Sequence, residues 1–301
     1  MSQSTSLIHV YDQLHDQIKK VLEKQFFFVV GCQKSGTTWL EKILDYHPEM
    51  ICRGEAVFGN VLAPAFNQAL GAFNEQIKYR NAQLGDHNAL MFNQVQLDYL
   101  YLTAIGALVS PWIKDKPDVK LIGEKTPEHA MTLPVLNKYF PNCKVVQIIR
   151  DGRDVAVSGW FHNIRFSGDK FKQNFPDMPT YIRYLIQHHW LPYINQARAF
   201  GKQFPDRYFE LKYEDLHADA PEVTTRLFQF LGVDANQSSV QHCLEAASFK
   251  NLAKGRQGGE EDRGSFFRKG VTGDWKNHFD EKSEAVFMEL GGAMLHELGY
   301  V

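Results

Sequence analysis

The residues with the clearest chemical potential lie in a short loop that follows an apolar run. Residues 26–30 read F-F-F-V-V, and residues 31–39 read G-C-Q-K-S-G-T-T-W. The loop supplies one cation together with hydroxyl and amide donors: Lys34, Ser35, Gly36, Thr37 and Thr38. Backbone N–H groups in such a loop, and at the start of a following helix, are free to bind an anion. The loop is therefore predicted to hold a phosphate or sulfate group.

The spacing of Gly31 and Gly36 matches the glycines of the nucleoside triphosphate loop G-x-x-x-x-G-K-[ST], but Thr37 stands where that motif has lysine. The lysine lies inside the loop instead, at Lys34, so the hydroxyl that would hold Mg²⁺ lacks its usual neighbour. We therefore predict an anion cradle that works without the metal clamp. An ordinary strand-to-helix turn is the alternative, and the density of donors argues against it.

Apolar runs alternate with helical patterns along the chain and indicate the elements that must position this loop. Five runs predict strands: residues 26–30, 50–53, 119–123, 144–149 and 208–211. Strands that alternate with helices predict an α/β fold, here a P-loop-type parallel sheet flanked by helices on both faces. Ligands bind such sheets at the carboxyl ends of the strands. Three charged side chains follow predicted strands and are expected at that edge: Glu55, Lys125 and Arg150.

The remaining segments complete the prediction of one domain over residues 1–301. An amphipathic pattern predicts an N-terminal helix within residues 1–24, and residues 56–112 are mostly helical in pattern. Residues 165–178 are polar and predicted as a loop. Residues 254–273 carry six glycines and are predicted to form a mobile lid.

Composition restricts the class of protein. The 301 residues are 44% hydrophobic and 23% charged, with a net charge of −2, which is typical of a globular protein and does not indicate binding to nucleic acid. The four cysteines form no C-x-x-C pair or zinc-type cluster, and they fit a reducing compartment. The first ten residues show no basic segment followed by an apolar core, and no stretch approaches 18 apolar residues. We therefore expect a cytoplasmic protein with no membrane span.

Three blocks resemble, in order, the signature blocks of the sulfotransferase family: residues 33–39, 149–158 and 268–279. The resemblance covers about residues 25–280 and implies transfer of a sulfonate from 3′-phosphoadenosine 5′-phosphosulfate (PAPS) to a hydroxyl or amine. That reaction is an in-line displacement that needs a general base and no metal. Two other functions stay open, a Mg²⁺-dependent P-loop nucleotide kinase or phosphotransferase and a non-catalytic nucleotide-binding protein.

The resemblance also implies where the nucleotide binds. The 5′-phosphosulfate falls to the loop and its donors: Lys34, Ser35, Gly36, Thr37 and Thr38. The 3′-phosphate falls to a second group: Arg150, Ser158, Arg268, Lys269 and the amide of Gly270. Arginine suits a phosphate because its planar fork donates two parallel hydrogen bonds. The adenine falls to three aromatic rings: Trp39, Tyr213 and Phe249. A surface ion pair with Asp151 or Asp154 is the alternative interpretation of Arg150.

The catalytic residues implied by the resemblance are Lys34, Glu55, Lys125 and His162. Lys34 would neutralise charge on the leaving oxygen, and Lys125 and His162 would lie near the sulfonate. The small-molecule cytosolic branch carries Lys-Thr-His where this chain has a proline after Lys125 and Thr126, so the usual histidine base is absent. Glu55 is the predicted base and His129 its rival. A small molecule, sugar, peptide or lipid acceptor, and any oligomeric state, all stay open.

Overall fold

A computed structural model describes residues 7–84, 89–114 and 116–301. Its centre is a parallel sheet of five strands in the order β2-β3-β1-β4-β5. The strands are β1 (Gln25–Val30), β2 (Met50–Arg53), β3 (Leu121–Lys125), β4 (Lys144–Ile149) and β5 (Tyr208–Lys212). The predicted parallel sheet is therefore confirmed, although β3 lies two residues further along the chain than predicted.

The helices cover both faces of the sheet. In chain order they are α1 (Leu7–Leu22), α2 (Thr37–Asp45), α3 (Ala63–Leu84), α4 (Gln94–Val109), α5 (Leu133–Tyr139), α6 (Gly152–Asn174), α7 (Met178–Leu185), α8 (Leu191–Gln203), α9 (Tyr213–Ala218), α10 (Ala220–Leu231), α11 (Gln237–Ala246), α12 (Phe249–Leu252) and α13 (Glu281–Glu297). Short 3₁₀- or π-helical segments lie between several of them, and the π-helical segment Ile186–Trp190 joins α7 to α8.

Strand β1 shows why the sheet needs helices on both faces. Phe26, Phe28 and Val30 belong to one hydrophobic cluster, and Phe27 and Val29 belong to another. Successive side chains of a strand point to opposite faces, so a wholly apolar strand must be buried on both. The first cluster includes residues of α4, α5, α6, α8 and α13, and the second includes residues of α2, α10 and α11.

The predicted loop at residues 165–178 is wrong in part. Helix α6 continues to Asn174, with a break at Gly168 (φ 47°, ψ −122°), and α7 begins at Met178. The physical reason is the burial of Phe171, whose ring packs on Trp160 and Tyr181 at centroid distances of 5.3 and 5.4 Å. Tertiary packing therefore overrides the polar composition of the segment.

The other predicted segments agree with the described elements. The N-terminal helix is α1, and residues 1–6 of that prediction lie outside the described residues, as do residues 85–88 of the predicted helical segment 56–112. Residues 254–273 form turns without helix or strand. The mobility of that segment and the domain bounds stay predictions.

Candidate active site

A cleft of about 530 Å³ opens where the carboxyl ends of β1 and β4 meet the last signature block. It brings together segments that are far apart in the sequence. The predicted site residues in its wall are Lys34, Gly36, Thr37, Thr38, Trp39, Glu55, Arg150, Ser158, His162, Tyr213, Phe249, Arg268, Lys269 and Gly270. Ser35 and Lys125, the other two predicted site residues, are buried behind it, with 1% and 4% of their surface exposed.

The loop after β1 ends in the first turn of α2. Gly36 is left-handed, with φ 93°, and α2 begins at Thr37 without a side-chain cap. The amides of the first helical turn therefore have no acceptor within the helix and are free for an anion. Position 36 has to be glycine because a Cβ there would lie 2.5 Å from Cδ2 of Tyr213.

Lys34 and His162 meet inside the cleft. Lys34 Nζ lies 3.4 Å from His162 Nδ1, and Arg165 Nη2 lies 3.2 Å from the same nitrogen. Burial, Lys34 and Arg165 lower the pKa of His162 to about 4. The ring is therefore neutral at pH 7. Because both neighbours of Nδ1 are donors, Nδ1 is the acceptor and the ring proton resides on Nε2.

The lysine in the loop is itself electrostatically perturbed. Burial and, in decreasing order, the positive charges of Arg165, Arg150, Lys125 and Arg268 together lower the pKa of Lys34 to about 8. Its ammonium group also lies 4.3 Å from the ring centroid of Phe266. This end of the cleft is therefore strongly positive and partly desolvated, which favours an anionic ligand.

Arg150 connects the loop to the last signature block. Its Nη1 donates to the carbonyl of Lys34 (3.2 Å) and its Nη2 to the carbonyl of Val271 (2.8 Å). Its guanidinium lies 4.4 Å from the ring centroid of Tyr213. Nη2 is also 3.4 Å from Asp154 Oδ2, with both side chains buried. The ion pair with Asp154 thus exists, but in the interior rather than at the surface.

Arg268 and Lys269 converge on one buried carboxylate. Lys269 Nζ donates to Asp274 Oδ1 at 2.6 Å, and Arg268 Nη2 donates to Asp274 Oδ2. The other end of the guanidinium pairs with Glu261. Gly270, with φ 65°, lies so close to Phe249 that a Cβ would be 2.4 Å from that ring.

Aromatic rings line the same cleft as these cations. Trp39 and Tyr213 meet edge to face with ring centroids 5.7 Å apart. The Trp39 Nε1 donates to the carbonyl of Ala247 at 3.1 Å, which fixes the indole at the wall. Phe249 lies in the same wall. Flat apolar surfaces of this kind suit the faces of a purine base.

Glu55 and Lys125 form an ion pair at the edge of the cleft. Lys125 Nζ lies 2.6 Å from Glu55 Oε1 and 3.4 Å from Glu41 Oε2. The Lys125 side chain is 5% exposed, whereas that of Glu55 is 51% exposed. Lys125 therefore fixes the carboxylate from the interior, and Glu55 presents it to the cleft.

His129, the rival base, lies in the hydrophobic core and not at the cleft. Its side chain is fully buried, with Nδ1 2.8 Å from Glu124 Oε2. Its Nε2 accepts a hydrogen bond from the amide of Gly59 at 3.2 Å. Both ring nitrogens thus face groups of the protein interior, so His129 is not placed to take a proton from a substrate in the cleft.

Several residues of the site were missed from the sequence. Arg165 follows His162 by one helical turn, a spacing that brings side chains together. Phe166 and Phe266 also line the cleft, and residues 56–112, where described, add nothing to its wall. Asp274 lies inside the third block, but the sequence alone does not show which cations its carboxylate contacts.

The described part of the chain lacks two further features. No group of three or more His, Cys, Asp or Glu side chains there could hold a metal ion. No helix in those residues has both the length and the apolar character to cross a membrane.

The comparisons with known proteins agree on one family. A family model described as "Sulfotransferase family" matches residues 27–237, well over half of the chain. Sulfotransferase 2A1 of Macaca fascicularis is 24% identical over 200 residues, which are 60% of this chain and 68% of that protein. Sulfotransferase 2A6 of Mus musculus is 27% identical over 189 residues, 56% of this chain and 65% of that protein. These matches therefore span about two thirds of the relatives' length.

Solved structures show the same fold. The mouse sulfotransferase SULT7A1 complexed with PAP aligns with a TM-score of 0.54 and 21% identity, over 94% of this chain and 89% of that one. Sulfotransferase STF9 from Mycobacterium avium aligns with a TM-score of 0.53 and 13% identity, over 96% and 81% of the two chains. The α/β architecture predicted from the alternation of strands and helices is thus found in both.

Proposed function

The chain belongs to the sulfotransferase family, and we propose that it transfers the sulfonate of PAPS to a hydroxyl group with Glu55 as the general base. One observation carries the proposal. A single cleft of about 530 Å³ is lined by the cation of the loop, Lys34, by two cations of the last block, Arg268 and Lys269, and by aromatic rings. PAPS has the complementary form, with negative charge at its 5′ and 3′ ends and a flat base. The mouse relative of the same fold is complexed with PAP.

The donor set fits the two charged ends of the nucleotide. Lys34 and the free amides at the start of α2 would hold the 5′-phosphosulfate. Arg268 and Lys269, with Arg150, would hold the 3′-phosphate, to which Ser158 would add a hydroxyl and Gly270 an amide. Two buried groups support the fit, since Ser35 Oγ and Arg150 Nε have no hydrogen-bond partner among the described residues. Polar atoms of that kind are costly unless something satisfies them.

In the proposed reaction PAPS supplies the activated sulfonate. The acceptor oxygen forms a bond to sulfur while the bond from sulfur to the nucleotide's 5′-phosphate oxygen breaks. The acceptor proton passes to Glu55, and the products are a sulfate ester and 3′,5′-ADP, which is abbreviated PAP. Lys34 neutralises the charge that develops on the leaving oxygen, which is where such transfers gain most from a fixed cation.

The two other predicted catalytic residues act on these groups. Lys125 holds the Glu55 carboxylate at 2.6 Å and fixes its position at the cleft. His162 is neutral, accepts at Nδ1 from the direction of Lys34, and keeps its Nε2–H as a donor. A neutral imidazole beside two cations adds no further positive charge to the site. It therefore positions the Lys34 ammonium group without adding to the charge repulsion among the cations of the site.

The acceptor we propose is a small hydroxyl-bearing molecule with an apolar body. Phe166 and Phe266 line the cleft with 72% and 48% of their surface exposed, and apolar surface of this kind favours an apolar ligand. The names of two relatives, the 3-beta-hydroxysteroid sulfotransferase of Cavia porcellus and the flavonol sulfotransferase-like protein of Flaveria bidentis, agree with that class. Four free and buried cysteines support a reducing compartment, for which we propose the cytoplasm.

A transfer assay with labelled PAPS and a panel of phenols and alcohols tests the function, with EDTA in one arm. We expect transfer that survives EDTA. Turnover of ATP with Mg²⁺, and none of PAPS, would identify a phosphotransferase instead. Binding of PAP without transfer to any acceptor would favour the non-catalytic nucleotide-binding protein.

The same assay tests the base. Glu55→Gln should lower kcat by roughly 10²–10⁴-fold, the range of a lost general base, with the Kd for PAP little changed. Glu75→Gln is the matched control, because the side chain of Glu75 is 76% exposed and lies away from the cleft. If Glu55→Gln turns over at the rate of that control, Glu55 is not the base.

A further inference from the structure

A buried carboxylate, Asp274, lies directly behind the group proposed to bind the 3′-phosphate. It is 3% exposed and is absent from the wall of the cleft, whereas Arg268 and Lys269 both line that wall. Its oxygens accept hydrogen bonds from both of those cations and from Asn277 Nδ2 at 3.1 Å. Asp274 thus holds both cations from outside the cleft.

The carboxyl group of Asp274 is ionised at neutral pH. Burial by itself would raise the pKa of this carboxyl, but hydrogen bonds from Lys269, Arg268 and Asn277 lower it well below its ordinary value. His278 adds a nitrogen 3.3 Å from Oδ2. An ionised carboxylate can fix two long and otherwise flexible cations at the cost of a single buried charge.

Both cations keep donors for a ligand after they have bound Asp274. A guanidinium carries five N–H groups and an ammonium carries three. Lys269 uses one of its three on Asp274, and Arg268 uses one group on Asp274 and one on Glu261. The remaining donors belong to side chains in the cleft wall, so the pairing with Asp274 orients these cations without saturating them.

The backbone on either side of Asp274 is also anchored. Asp154, in the first turn of α6, accepts hydrogen bonds from the amides of Gly273 (2.7 Å) and Trp275 (2.9 Å). These two residues flank Asp274 in the chain. The position of the carboxylate is therefore fixed by the rigid start of a helix, and not by residues 254–273 alone.

We propose that Asp274 is a positioning residue for recognition of the 3′-phosphate, acting through Arg268 and Lys269. The inference rests on the proposed use of PAPS, because it assigns these two cations to that nucleotide's 3′-phosphate. Its signature is selective: removing the charge of Asp274 weakens ligands that carry a 3′-phosphate and spares those that lack one.

The test compares two nucleotides in isothermal titration, PAP and 5′-AMP, which differ by the 3′-phosphate. For Asp274→Asn, which keeps the shape of the side chain, we expect the Kd for PAP to rise about 10- to 100-fold, the scale of lost charge-assisted hydrogen bonds. The Kd for 5′-AMP should change less than about twofold. The control is Asp280→Asn, an exposed helix cap at which asparagine serves as well as aspartate.

A merely structural role gives a different result. If Asp274→Asn weakens both nucleotides by the same factor, or weakens neither, the inference is overturned. A wild-type protein that does not bind PAP would instead overturn the proposed function. Should Asp274→Asn fail to fold, Asn277→Ala decides, since it removes one exposed donor to the same carboxylate. It should raise the Kd for PAP about two- to fivefold and leave the Kd for 5′-AMP unchanged. If the Kd values for both nucleotides change by the same factor, or neither changes, the inference is refuted.

Discussion

Raising the pH from 7 to 9 should weaken nucleotide binding through the titration of Lys34. Burial and the neighbouring cations lower the pKa of this lysine from 10.5 to about 8. The charged form predominates below that pH and the neutral form above it, so attraction for a 5′-phosphate is complete at low pH and lost as the pH rises.

The magnitude follows from the charged fraction. With a pKa of about 8, Lys34 is ~90% protonated at pH 7 and ~10% protonated at pH 9. An apparent Kd scales inversely with the fraction of protein in the binding-competent form. If binding requires the ammonium, the Kd for PAP should therefore rise about tenfold over this interval. A 5′-phosphate is doubly ionised throughout the range and contributes no titration of its own.

Isothermal titration of PAP at half-unit steps of pH measures this curve. The variant Arg165→Gln tests the cause of the lowered Lys34 pKa, because Arg165 is its largest cationic cause. In that variant the rise in Kd should begin at higher pH. Arg183→Gln is the control, since this arginine is 46% exposed and pairs with Glu289. A Kd that stays constant between pH 7 and 9, or a curve unmoved by Arg165→Gln, would contradict the reasoning.

Two further substitutions separate folding from function. Gly36→Ala places a Cβ 2.5 Å from the Tyr213 ring at φ 93°, so we expect a loss of about 1–3 kcal/mol of stability in thermal unfolding and weaker PAP binding; unaltered affinity and Tm would refute the steric argument. His129→Ala leaves the amide of Gly59 and a buried carboxylate without their imidazole partner. Urea unfolding should show a loss of roughly 2–3 kcal/mol, while kcat per folded molecule stays within about threefold; a loss of kcat without a loss of stability would return His129 to the chemistry.

The sheet could be predicted because its strands are continuous apolar runs, and the one shifted strand shows the limit of that signal. The run at residues 119–123 was predicted as the strand, but β3 extends through Glu124 and Lys125. Both are buried because each has partners elsewhere in the chain: Glu124 accepts from the amide of Ala56, and Lys125 pairs with Glu55. Hydropathy along the chain does not reflect such pairings, so a prediction from hydropathy places these charged residues beyond the strand.

For the site too, some residues could be predicted from the sequence and others could not. That most of these residues would line one cleft could be predicted, because loop glycines, hydroxyls and strand-end cations occur in blocks with fixed spacing. Their supporting partners could not. Arg165, Asp154 and Asp274 act through contacts that depend on the tertiary structure, and a charged side chain on a helix or in a turn is most often solvated. The burial of His129 could not be predicted for the same reason, since only the fold places this side chain in the core.

The charge partners of the cleft also explain why Lys34 is the perturbed cation. Most other cations in or behind the wall have a buried or half-buried carboxylate beside them: Lys125 has Glu41 and Glu55, Arg150 has Asp154, and Arg268 and Lys269 share Asp274. Lys34 has a neutral imidazole and a phenyl ring, and no carboxylate of the described residues pairs with it. Its charge is thus desolvated without compensation, which lowers its pKa. A bound phosphosulfate would supply the missing counter-charge, so this lysine gains more from the ligand than its paired neighbours do.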